Sequence, residues 1–317
     1  MGRLLIIGCG GVAGVAIHKC CQNSEAFDEI IIASRTKSKC DELKEKLEGT
    51  TKTKIYTEQV DADKVDALTA AIIRLNQLKH ADLMANLDTI YKTTGDFMAT
   101  LGTPTVNSTG GEWMVIGLAR SGRPVPAGYY DNVVEYVKAK ADANERLHPA
   151  KVTDNARVIL ALTAIGKDVT NVGGHNLLKG LDNMDYIQNQ GINGPIWALI
   201  ALDSGNYDIP KNPAAKTQAT RQLYIDEIIK NQMKDGGWSL TGTGDSDVDI
   251  TAMALQALAK YQDQKAVKTA TDSALTWLSK NQDSKGGFAS WGTTNVESVA
   301  QVIVALCELG ISLDDSR

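Results

Sequence analysis

Three small residues near the start of the chain have a spacing that suits contact with phosphate groups. The stretch IIGCGGVAGVAIHK places Gly8, Gly10 and Ala13 in a G-x-G-x-x-A pattern. Glycine lets the backbone approach a pyrophosphate, and the N–H groups at the start of the following helix can hold the phosphate oxygens. The pattern therefore predicts a nucleotide- or dinucleotide-binding loop. The alternative is a tight turn that only joins a strand to a helix.

The end of the second predicted strand indicates which dinucleotide the loop would take. An NAD-preferring site carries an acidic residue there, whereas this chain has Ser34, Arg35 and Thr36. A guanidinium and two hydroxyl groups suit the 2′-phosphate of NADP, so NADP is the predicted cofactor. The predicted cofactor-binding residues are Gly8, Gly10, Gly11, Val12, Ser34, Arg35 and Thr36.

An acidic stretch in the last third of the chain comes close to a known catalytic pattern. Residues 247–252 read DVDITA, which differs only at Ile250 from the D-x-D-D-T-A pattern with which class II terpenoid cyclases protonate an alkene. A carboxyl group that stays protonated at neutral pH needs apolar burial and hydrogen-bonding partners, and the missing aspartate removes one partner. Asp249 is thus a candidate proton donor, and the alternative is that it caps a helix.

Other acidic and aromatic residues fall at the starts of predicted helices. If these helices form a ring, their starts meet at one end, where a binding cavity opens. Paired carboxylates there could hydrolyse a glycosidic bond, whereas helix capping and the helix dipole explain the same acids without chemistry. The candidate lining, for binding more than for catalysis, is Glu112, Trp113, Arg157, Trp197, Asp247, Asp249 and Glu297.

The elements that must position the glycine loop alternate between strands and helices. This order predicts right-handed βαβ units and a parallel sheet, so residues 1–75 are expected to form a truncated Rossmann-like α/β half of about three strands. Such a half can hold the adenosine end of NADP, but hydride transfer also needs the nicotinamide half. The predicted strands are residues 4–7, 29–33 and 54–60.

After about residue 75 the pattern becomes helical throughout. Nearly apolar helical stretches alternate with amphipathic ones, which predicts the inner and outer layers of an all-α, α/α toroid over residues 76–317. About five helix pairs are expected, whereas a closed ring of this kind uses six, so the open apolar edge predicts self-association. The apolar stretches are residues 112–122, 156–166, 194–205, 249–261 and 297–310.

Two resemblances follow from these motifs. Residues 1–74, with the glycine loop and the Ser-Arg-Thr end, resemble the N-terminus of the carboxynorspermidine dehydrogenases, in the saccharopine dehydrogenase-like group. This resemblance implies an NADPH-dependent reductive condensation in polyamine synthesis.

The stretches starting at Gln232 and Gln282 fit Q-x-x-x-G-x-(W/F) and resemble the QW repeats of terpenoid cyclases, whose toroid is shared with protein prenyltransferases. Residues 76–312 are most similar to the prenyltransferase-like domains of bacterial cell-surface proteins, whose ligand is generally not assigned.

These features leave functions of different classes open. The first is a non-catalytic, ligand-binding toroid joined to a truncated NADP-binding half, with a small molecule or glycan as the ligand. The alternative is an NADPH-dependent oxidoreductase like the carboxynorspermidine synthases, which is also the first expectation if the chain is an enzyme. A terpenoid cyclase or a glycosidase is a further alternative. The direct junction near residues 72–78 predicts a fusion of two modules.

Composition and charge argue against other partners. The net charge is −5 and no dense Lys/Arg cluster occurs, so nucleic acid is not expected. The apolar run in MGRLLIIGCGG is too short for a signal peptide or a membrane span, which predicts a cytoplasmic chain, although toroid relatives are often exported. The five cysteines and four histidines lack the spacing of a metal site.

Overall fold

The computed structural model describes residues 2–8, 11–60, 87–108, 110–284 and 286–312. The chain divides into two compact units, Met1–Thr93 and Thr94–Arg317. The predicted boundary at residue 75 and the junction at residues 72–78 lie outside the described residues. The position of the boundary therefore stays a prediction.

Within residues 2–60, the described part of the first unit contains a three-stranded parallel sheet with two helices. β2 lies between β1 and β3 and pairs with both of them in parallel. This arrangement agrees with the predicted Rossmann-like alternation of strands and helices. The elements are β1 (Gly2–Ile7), α1 (Gly11–Gln22), β2 (Phe27–Ser34), α2 (Lys37–Leu47) and β3 (Lys54–Gln59).

The central strand β2 is apolar along most of its length because both of its faces are covered. Ile30 and Ile32 are fully buried and share one cluster with Ile17 of α1. Ala33, the next residue along β2, points to the opposite face and clusters with Val60. The burial of β2 fixes the register of the sheet and so fixes where each strand ends.

The rest of the described chain is mainly helical. No helix among the described residues is long and apolar enough to cross a membrane. Residues 87–99 are helical and are labelled α3. The later helices are α4 (Gly111–Arg120), α5 (Gly128–Lys140), α6 (Val152–Ala164), α7 (Met184–Ile187), α8 (Asn193–Ser204), α9 (Arg221–Lys230), α10 (Val248–Leu258), α11 (Lys265–Asn281) and α12 (Val296–Glu308). Short 3-10 turns occur at Leu177–Leu181, Gln188–Gln190 and Ala259–Tyr261, and a small antiparallel pair joins β4 (Ala289–Ser290) to β5 (Thr293–Thr294).

Five helices of the second unit, here called the inner helices, pack in a row. They are α4, α6, α8, α10 and α12, and each packs against the next. α8 and α10 are buried on nearly every side, whereas α11 buries one stripe that includes Val267, Ala274 and Leu278. α9 packs beside α8, and α11 packs beside α10. The predicted alternation of apolar and amphipathic stretches thus corresponds to two helical layers, and their closure into a toroid stays a prediction.

The glutamine and tryptophan of the first Q-x-x-x-G-x-W stretch tie neighbouring helices together. The side-chain amide of Gln232 donates to the carbonyl oxygens of Gly236 and Ala270, at 2.7 and 2.8 Å. Trp238 is fully buried, and its indole N–H donates to the carbonyl of Ile228 at 2.7 Å. The loop after α9 is therefore fastened both to α9 and to α11.

Trp238→Phe removes this indole N–H and leaves the carbonyl of Ile228 with the backbone N–H of Asn231, at 3.2 Å, as a partner. We expect the free energy of unfolding to fall by about 0.5 to 1.5 kcal/mol, which is the usual net contribution of one hydrogen bond. Urea unfolding followed by far-ultraviolet circular dichroism measures this loss. Trp291→Phe is the control because Trp291 is 89% exposed. Equal stability of the two variants would contradict the role of the buried indole.

Candidate functional site

The carboxyl ends of β1 and β2 meet at a tight turn. Ile7 is in register with Ala33, and the N–H of Gly8 donates to the carbonyl of Ala33 at 2.6 Å. Gly8 has a φ of +113°, which a residue with a side chain adopts only with strain. Its missing side chain therefore lets the backbone turn at the end of β1.

The turn delivers the chain to the start of α1, where anion binding is favourable. α1 begins at Gly11, and Val12 lies in its first turn. The first N–H groups of a helix have no partner within the helix and carry a partial positive charge, so they suit a pyrophosphate. Gly10 lies outside the described residues.

The end of β2 holds the residues predicted to bind the 2′-phosphate. The Ser34 hydroxyl donates to the carbonyl of Thr36 at 3.1 Å and accepts from the Thr36 N–H at 3.2 Å. The side-chain amide of Gln59 donates to the carbonyl of Arg35 at 3.0 Å. These bonds fix the backbone of Arg35, while its side chain is exposed and forms no ion pair with any described residue. The guanidinium is thus available to a phosphate.

A second cation near this end is already neutralised. The Lys37 ammonium lies 2.9 Å from a carboxylate oxygen of Asp41, and the Thr57 hydroxyl donates to the same oxygen at 2.5 Å. The hydrogen bond from Thr57, followed by the interaction with Lys37, lowers the pKa of Asp41 below its usual range. Asp41 therefore stays ionised at neutral pH and pairs with Lys37. Lys37 is thus less available than Arg35 to bind a phosphate.

Comparisons with known proteins agree with this geometry for the N-terminal part. Residues 4–98 match the saccharopine dehydrogenase NADP binding domain. A stretch of 75 residues is 43% identical to carboxynorspermidine synthase of Vibrio alginolyticus and covers 22% of this chain and 18% of that protein. The carboxynorspermidine synthase of Vibrio cholerae is 36% identical over 88 residues, covering 26% of this chain and 20% of that protein. Carboxyaminopropylagmatine dehydrogenase of a Synechocystis species is 37% identical over 92 residues, covering 29% and 21%.

The matches confirm the N-terminal resemblance and NADP as the cofactor of this domain type. If the chain is an enzyme, they support an NADP-dependent oxidoreductase. The domain match continues past residue 75 to residue 98, further than the motifs alone indicated. The aligned part spans about a fifth of the length of the curated relatives.

In the second unit, two candidate cavity residues come together. The rings of Trp113 on α4 and Trp197 on α8 have centroids 5.4 Å apart and are tilted by 57°. Trp113 is 42% exposed, whereas Trp197 is 8% exposed. The starts of α4 and α8 therefore meet at an aromatic surface that solvent can reach.

The predicted residues Glu112 and Arg157 are joined through Asn107, which sequence reasoning missed. The N–H of Asn107 donates to the fully buried carboxylate of Glu112 at 2.6 Å, and the Arg157 guanidinium donates to the side-chain oxygen of Asn107. The side-chain N–H₂ of Asn107 donates to the hydroxyl of Tyr136 at 2.7 Å and to the carboxylate of Asp154 at 3.1 Å. Asn107 has a φ of +57°, and asparagine tolerates this conformation better than most residues.

The capping residue at the start of α10 is Asp247 and not Asp249. One carboxylate oxygen of Asp247 accepts from the N–H groups of Asp249 and Ile250, at 2.9 and 3.1 Å. Its other oxygen accepts from the Ser290 hydroxyl at 2.6 Å. The interpretation of Asp249 as the cap was wrong because the helix begins at Val248, so Asp247, with its extended backbone, is the residue that precedes it. Asp249 lies in the first turn, and one of its carboxylate oxygens is buried without a hydrogen-bond partner among the described residues.

Buried polar atoms without a partner recur near the starts of the inner helices. Each of the five inner helices contributes one such atom within its first two turns, counting only the residues that the structure describes. These atoms are Glu112 Oε2, Arg157 Nε, Asn193 Oδ1, Asp249 Oδ1 and Ser298 Oγ, and a further one, the Tyr129 hydroxyl, lies on α5. Buried polar groups normally have partners, whereas these atoms have none among the described residues. Glu297, the remaining candidate, is exposed in the first turn of α12.

Asp247→Ala should destabilise the protein more than Asp249→Ala. The first substitution removes a side-chain cap and costs about 0.5 to 2 kcal/mol of unfolding free energy. The second removes a carboxylate that caps nothing, so a smaller change is expected. Chemical denaturation followed by helical circular dichroism measures both. A larger loss of unfolding free energy in Asp249→Ala would indicate that Asp249 is the capping residue.

Proposed function

We propose that the first unit binds NADP(H) at the carboxyl ends of β1 and β2 and is the cofactor-binding part of an oxidoreductase of the carboxynorspermidine synthase type. The observation that carries this proposal is the turn at Gly8, bonded to Ala33, beside the exposed guanidinium of Arg35. The pyrophosphate lies at the start of α1, and Arg35 binds the 2′-phosphate. The match of residues 4–98 to a saccharopine dehydrogenase NADP binding domain supports the same assignment.

The described strands account for the adenosine half of the cofactor. In a doubly wound sheet the nicotinamide half adds strands beyond the first one, and β1 is the edge strand of the described sheet. When bound, NADPH supplies the hydride of a reduction. This chain's own residues position the adenosine, the pyrophosphate and the 2′-phosphate. The resemblance of residues 1–74 implies a reductive condensation in polyamine synthesis. We propose this activity for the complete enzyme to which such a cofactor-binding unit belongs.

Arg35→Ala should weaken the binding of NADPH by about tenfold or more and leave the binding of NADH nearly unchanged. Hydrogen bonds to charged groups contribute about 1.5 to 3 kcal/mol, and 1.4 kcal/mol corresponds to about tenfold in affinity. Isothermal titration calorimetry with both cofactors measures the difference. Lys37→Ala is the matched control, with a smaller expected effect because Asp41 already holds Lys37.

Two results would contradict the proposal. One is the absence of heat with NADPH at millimolar concentrations, and the other is an equal loss for NADPH and NADH in Arg35→Ala. Incubation of the protein with NADPH, aspartate semialdehyde and a diamine then separates binding from catalysis. Consumption of NADPH in that mixture identifies a reductase, whereas binding without consumption identifies a cofactor-binding module.

We further propose that the second unit is an α/α toroid of the prenyltransferase-like kind whose inner-helix starts bind a small molecule or glycan. The unpartnered atoms of Glu112, Asn193 and Asp249 are hydrogen-bond acceptors, which suits a ligand rich in hydroxyl groups. The exposed face of Trp113 next to Trp197 offers a stacking surface. Together these features favour a sugar.

The last inner helix supports self-association through an open edge. Val296 and Val304 on α12 are 77% and 45% exposed. An apolar cleft of about 240 Å³, lined by residues that include Leu278, Val302 and Leu306, lies between α11 and α12. Exposed apolar surface of this kind marks a contact with another chain or element.

Trp113→Leu should abolish the binding of a sugar at the inner-helix starts. Maltotriose, cellotriose and chitotriose are titrated separately while the tryptophan fluorescence is recorded. At least one of them is expected to give a saturable change, because Trp113 is exposed beside the acceptors. Trp291→Leu, which also removes an exposed tryptophan, should keep that change. No saturable response to any of the three sugars would end the glycan proposal.

A further inference from the structure

A polar cleft of about 400 Å³ opens in the second unit, and Asn107, which is bonded to the predicted cavity residues Glu112 and Arg157, is one of the residues that line it. Tyr136 and Lys140 of α5, Arg146 and His148 of the following loop, and Asp154 of α6 all line it. We propose that this cleft binds a small oxyanion, either a phosphate group or the carboxylate group of an organic acid.

Several groups can donate hydrogen bonds into the cleft. The Nδ1 atom of His148 accepts from the backbone N–H groups of Ala150 and Lys151, at 3.0 and 3.1 Å. The proton of this imidazole therefore resides on Nε2, which is left to donate. The Arg146 guanidinium lies 4.1 Å from the centre of the Tyr186 ring, and this stacking fixes its plane.

Tyr136 adds a hydroxyl donor at the floor of the cleft. Its oxygen accepts from the side chain of Asn107, so its own proton remains for another acceptor. Burial, followed by the nearby Asp154 carboxylate, raises the pKa of Tyr136, which keeps the hydroxyl protonated at neutral pH. Tyr136, His148 and Arg146, which line the same cleft, are therefore the donors that we assign to an oxyanion.

The charged groups of the lining favour an anion over a cation, because the two carboxylates already have partners whereas the two cations form no ion pair with any described residue. The Asp154 carboxylate is paired with Arg157 at 3.3 Å and with Asn107. Asp142, the other acid that lines the cleft, accepts two backbone N–H groups of its own loop. Lys140 and Arg146 form no ion pair with any described residue. Two cations thus face two carboxylates, and both carboxylates already have partners.

The cleft is held in shape before any ligand arrives. The Asn155 side chain donates to the carbonyl of Glu145 at 2.8 Å and accepts from the N–H of Leu147 at 2.9 Å. The buried Tyr186 hydroxyl donates to the carbonyl of His148 at 2.6 Å. Because the loop of residues 142–149 is fastened on both sides, binding an anion costs little ordering of the protein.

Calorimetric titration of the full chain with inorganic phosphate, and separately with citrate, tests the proposal at constant ionic strength. The titrations use an Arg35→Ala background, which removes the 2′-phosphate contact proposed for the first unit. Any anion that binds at the start of α1 stays the same in every cleft variant and is identified by comparing them. We expect saturable binding of at least one anion. The anion with the lower Kd shows whether the cleft prefers a phosphate group or a carboxylate group. Lys140→Gln combined with Arg146→Gln should weaken this binding by about tenfold or more, because hydrogen bonds to charged groups are lost.

Lys138→Gln is the matched control, because it changes the same charge on the same helix and Lys138 does not line the cleft. Its affinity should equal that of the parent protein. Arg146→Lys keeps the charge without the planar stacking group, so it should retain part of the affinity for the anion. This variant replaces the double variant in the test if the double variant fails to fold. No saturable binding of either anion, or an equal loss in Lys138→Gln and in the double variant, would overturn the proposal.

Discussion

The unpaired N–H groups at the start of every helix are the constraint on which both candidate sites depend. They must be satisfied by a side chain, by water or by a ligand. Side chains do this at some of the described helices of the second unit: Asp247 caps α10, Thr220 caps α9 and Asn295 caps α12. At α1 the chain instead enters through a glycine turn, which places the backbone close to whatever binds there. The same requirement thus stabilises helices of the second unit and is the basis of the anion site that we propose in the first unit.

The second requirement is that buried charges have hydrogen-bonding partners, and Asn107 is such a partner. Glu112 and Asp154 are both buried near the starts of α4 and α6, where an unpaired carboxylate would be costly. Asn107 reaches both acids and also Arg157, so one residue with a positive φ holds three charges in place. The proposed sugar site and the proposed oxyanion cleft therefore share a rigid polar network.

The two units differ in how much of their chemistry is local in sequence. In the first unit the strand, the glycine turn and the start of the helix follow one another directly, so the residue types alone indicate the phosphate contact. Arg35 lies at the end of the neighbouring strand, and parallel pairing brings the two strand ends together. In the second unit the periodicity of apolar residues indicated the inner helices. It gave no sign of which polar atoms would remain unpartnered.

The sequence by itself determined the order of strands and helices, the turn at Gly8, the preference for NADP and the apolar faces of the inner helices. These features depend on residue types a few positions apart and on hydrophobic periodicity. Only the tertiary structure decided that Asp247 caps α10, that Asn107 is the hub and that Tyr136, Arg146, His148 and Asp154 line one cleft. The cap depends on backbone angles, and the hub and cleft depend on packing between α5, α6 and their loops. Neither the backbone angles nor this packing can be deduced from the spacing of residues along the chain.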